Sequence, residues 1–129
     1  MGQQQLLLIV LGTIIVGVAV VVGINMFTTG AINAERDALL QDVNNIASVA
    51  AAYWRKPAAL GGGARTFDGV TTVTTFGASD SNANGGFVIT GAAGITEFDV
   101  IATGWNEGVI IEATITQNGV LGTPTITMP

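Results

Sequence analysis

The sequence predicts an α+β protein: a long N-terminal helix, apolar in its first half and amphipathic in its second, packed on a small antiparallel β-meander sheet. Three observations predict it. An apolar run covers Leu6–Phe27, a pattern of spacing three and four follows it to about Arg55, and alternation of period two recurs between Glu97 and Thr116.

The apolar run reads LLLIVLGTIIVGVAVVVGINMF, with polar side chains only at Thr13 and Asn25. As a helix its 22 residues extend ~33 Å, enough to cross a hydrocarbon core. No charged side chain precedes Glu35. Charged residues make up 10% of the chain, against about 25% in ordinary soluble domains, and the apolar surplus lies at this end. A secretory signal peptide starts with basic residues, whereas Met1-Gly2-Gln3-Gln4-Gln5 carries none. N-myristoylation asks for Ser or Thr where this chain has Leu6. A membrane anchor fits the length, but no basic stop-transfer cluster follows Phe27.

An amphipathic pattern follows instead. Leu39, Val43, Ile46, Ala50 and Tyr53 recur at spacings of four and three and share one stripe. Leu40, Ala47 and Trp54 form a second row beside it. Glu35, Gln41, Asp42, Asn45 and Ser48 are assigned to the water-facing side. Pro57 disfavours a helical Lys56, so the helix ends near Arg55. The expected division is residues 1–29 for the apolar helix, 30–56 for its amphipathic continuation, 57–86 for a Gly/Thr/Ser-rich loop region and 87–129 for the sheet.

Within the loop region a short strand is expected around Val70–Phe76. Beyond it, Phe98, Val100 and Ala102 share one strand face opposite Glu97 and Asp99. Val109, Ile111, Ala113 and Ile115 do the same opposite Glu112, Thr114 and Thr116. Asn118-Gly119 reads as the centre of a two-residue hairpin turn with positive φ at both positions, and Pro124 suits an edge strand. The strands expected are Phe87–Thr90, Ile95–Thr103, Val109–Thr116 and Val120–Met128, joined by short glycine-flanked turns as a meander. Such a sheet has one apolar face, and the helix stripe is the complementary surface. That pairing leaves the first half of the helix needing a bilayer or copies of itself to cover it.

This plan resembles the type IV pilins and their pseudopilin relatives, with sequence-level likeness over Met1 to about Tyr53. The resemblance implies a basic leader removed by a prepilin peptidase after a glycine, and a methylated first residue at Met1. Leu6 then opens the apolar run, and Gly12, Gly17 and Gly23 sit where such helices often unwind in the filament. The fifth place holds Gln5 where the family has a glutamate that pairs with a neighbour's terminal amine. Gln3, Gln4 and Gln5 offer three amide oxygens for that amine instead. The chain also lacks the disulfide-closed loop common in relatives, having no cysteine.

The chemistry on offer is sparse. With neither His nor Cys, the usual nucleophile–base pairs and thiolate metal sites are missing, so no enzyme activity and no cofactor is expected. The net charge is −5 and the basic residues are Arg36, Arg55, Lys56 and Arg65, too few for a phosphate-neutralising stripe; direct nucleic-acid binding is not expected. Asp80-Ser81-Asn82-Ala83-Asn84-Gly85 matches the opening of a calcium loop through Asp80, Asn82 and Asn84. Its twelfth position is Gly91 instead of glutamate, and the competing reading is an Asx-turn feeding the strand at Phe87.

The function these readings favour is assembly. Copies of the chain bundle their apolar helices into an extracellular pilus-like filament, passing through the cytoplasmic membrane and a pilus assembly machinery on the way. The alternatives are a pseudopilin of a secretion system and a monomeric, membrane-anchored binding module using the loop from Arg65 to Gly86.

Overall fold

Helix α1 covers Gly2–Arg55, and its second half is made by the stripe. Leu39, Val43, Ile46 and Ala50 are buried, with Ala47 from the second row, while Tyr53 is half-buried. The computed structural model describes residues 2–91 and 93–129. Over these, α1 packs on a four-stranded antiparallel sheet: β1 (Gly85–Thr90), β2 (Glu97–Gly104), β3 (Ile110–Thr116) and β4 (Gly119–Thr127), in the order β1-β2-β3-β4. The α+β plan and the meander are as expected. The chain divides into two compact units between Asn33 and Ala34, a few residues beyond the expected boundary at 29/30.

The core lies in the second unit. Phe87 and Ile89 of β1, Phe98, Val100 and Ala102 of β2, and Ile111, Ala113 and Ile115 of β3 are all buried, as the alternation demands. The register pairs Val100 with Ala113 and Ala102 with Ile111, aligning these side chains on one face. At one end of the core Tyr53, Phe67, Phe76 and Phe98 pack together, with Tyr53 edge-on to Phe76 at 5.0 Å and Phe67 edge-on to Phe98 at 5.0 Å between ring centroids, a geometry aromatic quadrupoles favour. Trp54 Nε1 donates to the Ile95 carbonyl at 3.0 Å.

The helix terminus is closed by returning chain. Past Pro57 a short 3-10 turn covers Ala58–Leu60. The Gly63, Ala64 and Arg65 N–H groups then donate to the Tyr53, Lys56 and Trp54 carbonyls at 2.8, 3.0 and 2.7 Å, satisfying acceptors that a helix end leaves open. Ala64 and Arg65 take φ of +50° and +66°, the described non-glycine residues with positive φ.

Three expectations need correction. No strand forms at Val70–Phe76; Val73–Phe76 is a 3-10 helix. Val70, Val73 and Phe76 are buried and the threonines between them exposed, so the spacing is three, the period of a 3-10 turn and not of a strand. The β3–β4 turn centres on Gln117-Asn118, because Thr116 pairs with Gly119. Neither central residue has positive φ, and Gly119 takes φ of +121°, which excludes the turn types that need positive φ at the first central position. The Thr116 hydroxyl accepts the Asn118 N–H at 3.2 Å and fixes this placement. Finally, Glu35 does not face water.

At the sheet's edge β4 carries Pro124, as expected. The register slips between Glu112 and Thr114, so Leu121 and Thr125 face residues only two apart on β3. Gly122 takes φ of +62° within that bulge, and Pro124 sits where no ladder N–H is needed.

Candidate functional site

The first unit holds the largest unsatisfied surface. From Leu6 to Phe27, sixteen large apolar side chains are between 50% and 81% exposed. The segment is helical throughout, including Gly12, Gly17 and Gly23, and nothing lies within 4 Å of a Cβ placed at any of these glycines. Thr13 returns its hydroxyl to the Ile9 carbonyl at 2.8 Å, and Thr28 to Ile24 at 3.0 Å, so these hydroxyls interrupt the apolar surface less than their residue types suggest. α1 is the one described helix long and apolar enough to cross a membrane. Leu6 and Gln5 are exposed; Met1 lies outside the described residues.

In the second unit the loop before β1 is held by amides. Asn82 Nδ2 and Asn84 Nδ2 both donate to Asp42 Oδ2 of α1, at 3.0 and 2.9 Å. Asn82 Oδ1 in turn accepts the Asn84 and Gly85 N–H groups at 2.8 and 3.1 Å. Of the candidate calcium positions, Asn82 therefore has its oxygen already engaged in an Asx-turn, Asn84 turns its amide nitrogen to the helix, and Asp80 is exposed and uses its backbone carbonyl to accept the Phe87 N–H at 2.8 Å. Among the described residues no group of three or more His, Cys, Asp or Glu could hold a metal ion. Asp42 is the unanticipated member of this site.

Glu35 is the second residue missed. It is 7% exposed, and its Oε1 and Oε2 accept the N–H groups of Asn106 and Glu107 in the β2–β3 turn at 3.0 and 2.8 Å. Gly104 makes room for it: a Cβ there would overlap the Glu35 carboxylate. The signal was present in the spacing, since Glu35 stands four residues before Leu39 on the same stripe.

Glu97, Asp99 and Glu112 are exposed on the sheet face away from α1, where a depression of about 280 Å³ is lined by Thr90, Asp99, Ile101, Glu112, Thr114 and Thr125 among others. Asp99 Oδ1 accepts the Thr114 hydroxyl at 2.7 Å. Arg55, Lys56 and Arg65 are exposed near the closed helix end, where Arg55 and Lys56 border different grooves and Asp68 is exposed three residues beyond Arg65. The ion pair formed among the described residues is between sequence neighbours, Arg36 and Asp37, at 3.0 Å.

No family model matches this chain, and neither the curated proteins nor the solved structures give a significant match.

Proposed function

We propose that the chain is a structural subunit that polymerises through its apolar N-terminal helix into an extracellular filament of the type IV pilin kind. The observation that carries this reading is the sixteen exposed apolar side chains between Leu6 and Phe27. At ~1.5–3 kcal/mol for each large apolar side chain removed from water, covering them is worth on the order of tens of kcal/mol. A bilayer covers them before assembly, and the same helices of neighbouring copies cover them afterwards.

The second unit supports the reading by what it offers the filament: a closed core built on the amphipathic half of α1, and a polar, threonine-rich sheet face fit for water. Catalysis has no place in this reading, which draws on no activated hydroxyl and no metal. Electron microscopy of material sheared from cells expressing the chain tests it, with fibres identified by an antibody against residues 34–129. Fibres that carry the chain are expected. A chain found only in the membrane fraction, with no fibres, would leave an anchored monomer or a short secretion-type assembly and overturn the proposal.

A further inference from the structure

We propose that Asn118 is a modification site: it deamidates spontaneously, through a succinimide formed with Gly119, while Asn84, which is also followed by glycine, is held so as to resist the same reaction. The inference goes beyond the filament reading and does not rest on it.

The sequence contains two Asn-Gly pairs, Asn84-Gly85 and Asn118-Gly119. The other asparagines (Asn25, Asn33, Asn44, Asn45, Asn82 and Asn106) precede residues whose side chains hinder the attack. In an Asn-Gly pair the glycine nitrogen reaches Cγ of the asparagine unobstructed by a side chain of its own. The new N–Cγ bond forms, the Cγ–Nδ2 bond breaks, and the amide nitrogen leaves as ammonia, taking up the proton lost by the attacking nitrogen. Water then opens the cyclic imide at either carbonyl, giving aspartate or isoaspartate.

The fold treats the two pairs oppositely. Asn84 is half-buried, with Nδ2 donating to Asp42 Oδ2 at 2.9 Å and its main-chain N–H to Asn82 Oδ1 at 2.8 Å. The attacking atom is engaged as well, since the Gly85 N–H donates to Asn82 Oδ1 at 3.1 Å. Gly85 is buried, and a Cβ there would overlap the Thr103 carbonyl, so the backbone has no room to turn into the ring. Asn118 is exposed, and among the described residues its side chain makes no hydrogen bond; only its N–H is held, by the Thr116 hydroxyl. Nothing lies within 4 Å of a Cβ placed at Gly119. Gly119 pairs with Thr116 at the tip of the hairpin that forms the sheet's edge, where a ladder frays first.

The place of the reaction gives it a consequence. Asn118 and Arg55 line one groove, of about 400 Å³, between α1 and the β3–β4 turn. Either product sets a carboxylate in the groove with that cation where a neutral amide stood, and adds one negative charge to the net −5 of each copy. Isoaspartate also inserts a methylene into the main chain of a two-residue turn, which disturbs the closing pair of Thr116 and Gly119.

The test incubates the full chain in detergent at mildly alkaline pH. Proteolysis after glutamate then places Asn118 in the peptide 113–129 and Asn84 in 36–97. Tandem mass spectrometry follows the mass gain of an amide turned into an acid and locates it; isomerisation at Asp68-Gly69 leaves mass unchanged and does not interfere. Asn118 is expected to deamidate at least tenfold faster than Asn84 in the folded chain. In guanidinium the two rates should converge, because only the fold distinguishes them. Asp42→Ala frees the Asn84 side chain and is expected to raise its rate severalfold, with Asn118 unaffected. Asn118→Ser should remove the mass gain from that position while leaving the circular dichroism unchanged. Equal rates in the folded chain overturn the proposal. So does an Asn118 that stays intact when folded and deamidates only in guanidinium.

Discussion

Glu35 Oε2 accepts the backbone N–H of Glu107 at 2.8 Å, joining α1 to the β2–β3 turn 72 residues further along the chain. The other oxygen takes the Asn106 N–H, so both acceptor atoms of a buried carboxylate are spoken for by main-chain donors. The turn is also closed by the Gly104 N–H donating to the Val109 carbonyl at 2.8 Å and tied to the loop before β1 by Trp105 Nε1 donating to the Asn82 carbonyl at 2.9 Å, so the Glu35 carboxylate is its link to α1.

Glu35→Ala removes the acceptor and strands two N–H groups in a part-buried place. The expected loss is ~2–4 kcal/mol of stability in the second unit. Glu35→Gln keeps one acceptor and is expected to cost less. Gly104→Ala should match Glu35→Ala, because its methyl group occupies the carboxylate's position. Chemical denaturation of the detergent-solubilised chain reads all three. A silent Glu35→Ala would show that the turn holds without its clamp.

The α1 stripe gives the second prediction. Val43 is 1% exposed between Leu39 and Ile46, and Val43→Asp introduces a carboxylate with no partner. A cost on the order of 3–5 kcal/mol is expected, enough to unfold a unit of this size. Val88→Asp, on the outward face of β1 where Val88 is exposed, is expected to leave the melting temperature within a few degrees. An equal effect of the two changes would show that α1 does not cover the face assigned to it.

What could be read from the sequence is what periodicity carries. The stripe from Leu39 to Tyr53 and the alternation through Phe98–Ala102 and Val109–Ile115 each repeat often enough to fix a face. Glu35 was missed because its charge argued for water while its spacing argued for the core; the two N–H groups that decide the matter arrive from residues 106 and 107, which no local pattern connects to it. Val70–Phe76 misled through its β-branched threonines, whereas the buried positions repeat every third residue. The Gln117-Asn118 turn shows the same limit: the Asn-Gly pair signals a hairpin correctly, and the Thr116 hydroxyl then moves its centre by one residue. The return of Arg65 to the helix end, through its N–H to the Trp54 carbonyl, depends on the loop and has no signature in the sequence.

The third prediction separates amide clamp from cation site. Asp42 accepts both Asn82 and Asn84 side-chain amides, so the loop closes on α1 with protein donors alone. Chelation is expected to leave thermal stability unchanged. Asp42→Ala is expected to cost ~1 kcal/mol, or roughly 4–8 °C in melting temperature for a unit of this size, the exposure of the site keeping the value low. Asp80→Ala should have no effect on any response to calcium. A fall in melting temperature on chelation that Asp80→Ala abolishes would restore the calcium reading.

The last prediction concerns the apolar run. Among the described residues, Leu6 to Phe27 contribute no buried side chain, and the second unit, Ala34–Pro129, contains the whole buried core. The stability of that core should therefore be independent of the run. A chain beginning at Thr28 is expected to be soluble without detergent, to sediment as a monomer and to melt within a few degrees of the detergent-solubilised full chain. The full chain, with sixteen large apolar side chains in need of cover, is expected to require detergent, lipid or its own copies, because a soluble monomer rarely exposes more than a few hundred Å² of contiguous apolar surface. Val16→Lys in the full chain places a charge in the middle of the run and is expected to cut the yield of assembled material at least tenfold, since an unpaired charge in an apolar bundle is costly. That variant should leave the melting of the second unit unchanged. If the chain beginning at Thr28 aggregates, the second unit needs the run to complete its core. If Val16→Lys assembles as well as the wild type, the run does not form the contact between copies, and the filament proposal loses the observation on which it stands.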